Sequence, residues 1–120
     1  MLPESRQRPH CRADSHRKWR RHPSVYGPKT TRVGRFSPNQ FQLSDMHGNV
    51  WEWCLDHWHP NYDGAPTDGS PWLSRNKAAA RILRGGSWFD YSRDCRSARR
   101  IRYSSANKDF NVGLRIVCVI

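Results

Sequence analysis

No stretch of this chain approaches the ~20 consecutive apolar residues needed to cross a bilayer. Its opening, MLPESRQRPH, also lacks the apolar core of a secretory signal. The first absence argues against a membrane partner, and the second places the chain in the cytoplasm if its N-terminus is authentic. No CxxC pair occurs, because the four cysteines stand singly at 11, 54, 95 and 118. That spacing speaks against a structural zinc site, and cytoplasmic thiols stay reduced. Cys54 and Cys118 each follow an apolar, strand-like run, so both are expected to be buried and inert. Repeats, heptads and amphipathic helices of useful length are missing as well.

Ordinary core residues are scarce. Only 36% of the 120 residues are hydrophobic, and six of them are tryptophans. A chain of this length forms one domain at most, and indole rings must supply much of its burial. Acids are scarce too. Lys and Arg outnumber Asp and Glu by 21 to 10, and the excess is uneven. Residues 1–40 carry ten bases and two acids, whereas residues 41–120 carry eleven and eight. Residues 1–29 therefore read as a basic, solvated lead-in without regular structure. A nucleic-acid arm is the alternative for that segment, but RHPSVYGPK lacks the aromatic interleaving of a single-strand binder.

From residue 30 onward the pattern is of short strands and long loops. TTRVGRF (30–36) alternates as a short strand would, and SPNQ (37–40) is a turn cluster. VWEWCLDHW predicts a strand. PNYDGAPTDGSP (60–71) is loop, and NKAAAR (76–81) allows one helical turn. RILRGGSW predicts a strand ending at paired glycines, and CRSARR a further one. NVGLRIVCVI (111–120) is the clearest strand, rich in β-branched residues. Loops this long in a small domain carry function or bind ions.

DMHGNVWEWC (45–54) concentrates chemistry. Calcium takes six to eight oxygens at about 2.3–2.6 Å from carboxylates, carbonyls and water. Asp45 and Glu52 offer carboxylates, and Gly48 with Asn49 allows a tight turn that aims carbonyls inward. Glu52 sits between Trp51 and Trp53, and a carboxylate beside buried indoles needs a partner. The residues leave two partners open, a bound cation or a nearby arginine.

SPNQFQLSDMHGNVWEWCLDHW, then RILRGGSW, CRSARR and NVGLRIV, resemble in order and spacing the C-terminal half of the formylglycine-generating enzyme, or sulfatase-modifying factor, family over about residues 30–118. The resemblance implies an α+β, irregular C-type-lectin-like fold with little regular secondary structure. It also implies that 30–120 is the C-terminal part of a longer domain. By position it implies structural calcium on the side chains of Asp45 and Glu52 and the carbonyls of Gly48 and Val50.

The family activity oxidises a sulfatase cysteine to formylglycine with oxygen and copper, and a soft Cu(I) ion suits two thiolates. The resemblance puts those thiols two and seven positions after Trp88, at Asp90 and Cys95. One thiol is thus replaced, which argues against copper, and the equivalence of Cys95 itself depends on the alignment. Cys95, Ser87 and Trp51 are the candidate catalytic residues. A second branch, making sulfur–carbon bonds, holds iron with histidines on a separate helix. His57 and His59 instead flank Trp58 as solvated or stacking residues. A third branch, which includes the variable proteins of diversity-generating retroelements, uses the scaffold for recognition. FDYSRD and RIRYSSANKDF lie where that surface would be and are rich in adaptable contact residues. Arg96, Arg99, Arg100 and Arg102 favour an acidic partner or pair with Asp90, Asp94 and Asp109. Taken together, the residues and the resemblance point to a non-catalytic accessory or recognition module with a protein or peptide partner. The oxidase and the variable binding protein are the alternatives.

Overall fold

The computed structural model describes residues 29–118. The basic lead-in at 1–29 and the stretch RHPSVYGPK lie, apart from Lys29, outside the described residues. Two alternating tryptophans and a leucine build β1 (Trp51–His57), and the RILR run builds β2 (Arg81–Arg84). β3 (Ile101–Tyr103) and β4 (Val112–Gly113) complete one open mixed sheet in the order β3-β2-β1-β4. β1 and β2 are antiparallel, with Glu52 opposite Arg84 and Trp53 opposite Leu83. β3 runs antiparallel to β2, and β4 runs parallel to β1 with Trp51 opposite Val112. Among the described residues the only helical element is a 3-10 turn, Ser92–Asp94, and loops make up the rest.

The core sits on the two central strands. Consecutive Ile82 and Leu83 are both buried, Leu83 completely (0% exposed), so loops cover β2 on both faces. Trp51 and Cys95 are also buried, while Trp53 tilts against Tyr103 of β3 at 5.7 Å. His59 stacks on Trp72 at 3.6 Å, as expected of a stacking histidine. His57 is buried, and its Nδ1 accepts the Ser74 N–H at 2.7 Å.

Several expected elements give way to turn chemistry. Residues 30–36 form no strand. Gly34 has φ +70°, and the Arg35 N–H turns back to the Arg32 carbonyl. NKAAAR forms a turn rather than a helical one, because the Asn76 side chain accepts the Ala78 N–H and competes with helical bonding. CRSARR also turns, through the Arg99 N–H to the Arg96 carbonyl, and the strand begins only at Ile101. Among the described residues of the closing run, only Val112 and Gly113 pair, and Ile116 beyond them is 85% exposed. The thiols depart from expectation as well. Cys118 is exposed and Cys54 half-buried, and Cys95 is the buried one. Cys54 and Cys118 lie in β1 and the unpaired terminal run, where an apolar neighbourhood in sequence does not become one in space.

Candidate functional site

The Gly-Gly-Ser turn after β2 brings the expected catalytic residues together. Gly85 and Gly86 both have positive φ (91° and 73°), which glycine alone adopts without strain. The Gly85 carbonyl accepts the Gly48 N–H at 2.8 Å, tying this turn to the Gly-Asn turn before β1. Gly86 is required by space too. A Cβ there would lie 2.7 Å from Cys95 Cα and 2.6 Å from its Sγ. The chain thus presses Cys95 onto the turn, with Sγ 3.8 Å from the Ser87 carbonyl oxygen. His47 donates Nδ1–H to the Cys95 carbonyl at 2.6 Å.

Ser87 is the hub of a buried polar cluster. Its hydroxyl donates to Asp90 Oδ2 and accepts from Asn111 Nδ2 and the Phe89 N–H, each at 3.2 Å. The same Asp90 oxygen accepts the Trp51 indole N–H at 2.7 Å. Ser87 thus touches Cys95 through its carbonyl and is joined to Trp51 through Asp90. The residue sequence reasoning did not credit is Asp90, which joins Trp51 to Ser87. Asn111 closes the cluster, and its carbonyl accepts the Trp51 N–H at 2.8 Å. The carboxylate standing where the resemblance puts a thiol was the available signal. This donor set does not fit a Cu(I) ion: one thiol is present, and the oxygen that replaces the other already binds an indole and a hydroxyl.

The acid-and-indole loop is held differently. Gly48 and Asn49 take consecutive left-handed conformations (φ 82° and 64°), as the Gly-Asn turn requires. The Asn49 side chain grips Thr31, accepting its N–H at 3.0 Å and donating to its carbonyl at 3.3 Å. Asp45 Oδ2 accepts the Gly34 N–H at 2.8 Å. Glu52 receives a fork from Arg115, with Nε to Oε2 at 2.9 Å and Nη2 to Oε1 at 2.7 Å. Arg115 Nη2 also donates to the Ser44 carbonyl at 2.9 Å. Its hydrogen bonds to Glu52, with Asp45 nearby, hold this guanidinium still more firmly charged than usual. Val50 packs its side chain toward Gly113. As arranged, Asp45, Gly48, Val50 and Glu52 do not fit a calcium ion. Both Glu52 oxygens face a permanent cation. Sequence reasoning left an arginine partner open without naming it. Arg115 is the only charge in 111–120, and a lone charge in an apolar run marks a specific partner.

Beside the Ser87 cluster lies an aromatic surface. Phe89 and Phe110 are 67% and 64% exposed and meet edge to face at 5.6 Å, with Trp88 beneath both. Tyr91 is exposed and carries the Arg93 guanidinium at 5.1 Å. Asp94 pairs with Arg99 at 3.1 Å and Arg93 at 3.8 Å, and Asp109 accepts the Tyr103 hydroxyl. Arg100 lies between the Trp58 and Tyr62 rings, at 4.9 and 4.3 Å.

The chain is similar to proteins of known sequence and structure. The chain is 36% identical over 84 residues to the formylglycine-generating enzyme of Streptomyces coelicolor, covering 70% of this chain and 26% of that protein. The solved structure of PvdO from Pseudomonas aeruginosa matches with a TM-score of 0.68 and 38% identity, over 72% of this chain and 33% of that one. The solved Treponema denticola variable protein 1 matches with a TM-score of 0.60 and 30% identity, over 78% of this chain and 33% of that one. The chain thus spans about a quarter to a third of the length of these proteins. The profile of the sulfatase-modifying factor enzyme 1-like domain matches residues 5–120, upstream as well as across the motifs, and the chain belongs to that family.

Proposed function

We propose that this chain is a non-catalytic recognition module of the family, built on an irregular lectin-like scaffold and taking a protein or peptide partner. The observation that carries the reading is Asp90. Where the oxidase reading needs a second thiol, a carboxylate is committed to Trp51 and Ser87. Among the described residues this cluster holds one thiol, that of buried Cys95, and a two-sulfur copper site needs two. The fold alone decides nothing, since a formylglycine-generating enzyme and a variable protein both resemble this chain.

Phe89, Tyr91 and Phe110 supply an exposed aromatic anchor surface of the kind that recognition sites use. Arg96, Arg102 and Lys108, from the same stretch of sequence, are exposed as well, and among the described residues none is held in an ion pair. Their charge fits an acidic segment carrying an apolar side chain. The test has two arms. Incubated with copper and a peptide containing a CxPxR-type motif, the chain is expected to leave the peptide mass unchanged; formylglycine would overturn the reading. Titrated with labelled peptides, it is expected to select acidic, aromatic-bearing sequences, and Phe89→Ala is expected to abolish that selection. Equal binding to acidic and neutral peptides would sink the recognition half.

The likeness to the Treponema variable protein favours a second reading, a variable binding protein. That reading requires sequence differences among closely related copies to concentrate at 89–94 and 100–110. Sequencing of such copies separates the two.

A further inference from the structure

We propose that Arg115 is the resident cation of the acid-and-indole loop, so that this chain closes the loop without calcium. The sequence poses the need: Glu52 lies between two tryptophans on β1 and must be compensated. The structure fills it from the far end of the chain. A guanidinium presents two parallel N–H groups in the geometry of a carboxylate, and Arg115 uses that fork on both oxygens of Glu52. The remaining bond to the Ser44 carbonyl fixes the arginine across the loop mouth. Asp45, the other acid, is oriented toward the Gly34 N–H and adds its charge from one side.

A divalent ion that took Glu52 would have to share it with a fixed positive charge a few ångströms away or expel it. Expulsion has a structural cost. β4 is joined to β1 through Val112 and Gly113 only, and Arg115 ties the segment beyond them to the loop. The guanidinium thus connects residues 63 apart, doing for the fold what a coordinated metal does in a clasp.

Thermal melting of the intact chain tests this, with calcium chloride, magnesium chloride or chelator as the probe. The melting temperature is expected to stay within about 1 °C across all three. Arg115→Leu is expected to lower it, and Arg115→Lys to recover only part, since an ammonium keeps the charge but not the fork. The wild-type titration stands by itself if Arg115→Leu fails to fold. A calcium-specific rise of about 4 °C or more that Glu52→Gln removes would overturn the proposal, as would an Arg115→Leu chain that melts like wild type. A rise that survives Glu52→Gln locates the ion elsewhere and leaves Arg115 as the cation of this loop.

Discussion

Asp90 and Glu52 both lie beside the tryptophans of β1, but they are held in opposite ways. Neutral donors hold Asp90: the indole of Trp51 and the hydroxyl of Ser87, both buried residues. A guanidinium holds Glu52, and both partners of that pair are about a quarter to a third exposed. The two differ most in the consequence of losing them. Without Asp90, two donors are stranded where water does not reach, and each unmet donor costs about 1–3 kcal/mol. Without Glu52, Arg115 can turn to solvent, and a partly exposed pair contributes about 1 kcal/mol or less. One carboxylate organises the core, and the other connects distant segments of chain.

The largest expected effect lies on the Asp90 side, in the glycine that lets Cys95 approach Ser87. Gly86→Ala forces a Cβ into the Cys95 backbone at a positive φ, and we expect a loss of about 3 kcal/mol or more. Gly85→Ala is the control. It shares the positive φ, but its Cβ would meet only the Met46 carbonyl oxygen, at 3.7 Å, so about 1–2 kcal/mol is expected. Urea unfolding measures both. Equal losses would show that backbone strain, not the pressure of Cys95, fixes this turn.

Next comes Asp90→Ala, expected to cost about 2–3 kcal/mol. Glu52→Ala, the matching change on the other side, is expected to cost about 1 kcal/mol. Tryptophan fluorescence during urea unfolding reads both, and the Asp90 variant alone should show a red-shifted native spectrum as Trp51 loses its acceptor. A larger loss at Glu52 would invert the comparison and make the ion pair the organising contact.

Much of this was legible in the sequence, for reasons that differ by region. β1 and β2 announce themselves because the alternating tryptophans of one and the Ile-Leu pair of the other lie close enough in sequence to meet. The motif resemblance drew attention to Ser87, Trp51 and Cys95, but not to the carboxylate that joins the first two. The strands expected at 30–36 and 95–100 did not form, and the one expected at 111–120 is cut to Val112–Gly113 among the described residues, because a strand needs a partner and local pattern does not state whether one is present. Asp90 and Arg115 were hidden for another reason. Each acts on a residue 39 or 63 positions away, and pairing at that range is a property of the fold. What the sequence did offer was oddity: an acid in a thiol's place and one charge in an apolar run.

The smallest effect concerns the thiols on either side of the comparison. Cys54 lies two residues beyond Glu52 on β1, and burial raises its pKa above the usual value of 9.0, with Arg84 partly opposing and Asp56 and Glu52 adding to the rise. A group whose folded pKa is raised gives stability that is present below the unfolded pKa and is lost as pH climbs through the folded one. Stability is therefore expected to decline above about pH 9, and Cys54→Ala should flatten that decline. The Tyr103 hydroxyl, its pKa raised by its bond to Asp109, declines with the same sign, so Tyr103→Phe separates the two. Alkylation gives an independent reading at neutral pH. Exposed Cys118 should react first, half-buried Cys54 more slowly, and buried Cys95 only at the rate of unfolding. Early labelling of Cys95 would mean that the Gly-Gly-Ser turn opens on its own, and the Asp90 side would then be the looser of the two.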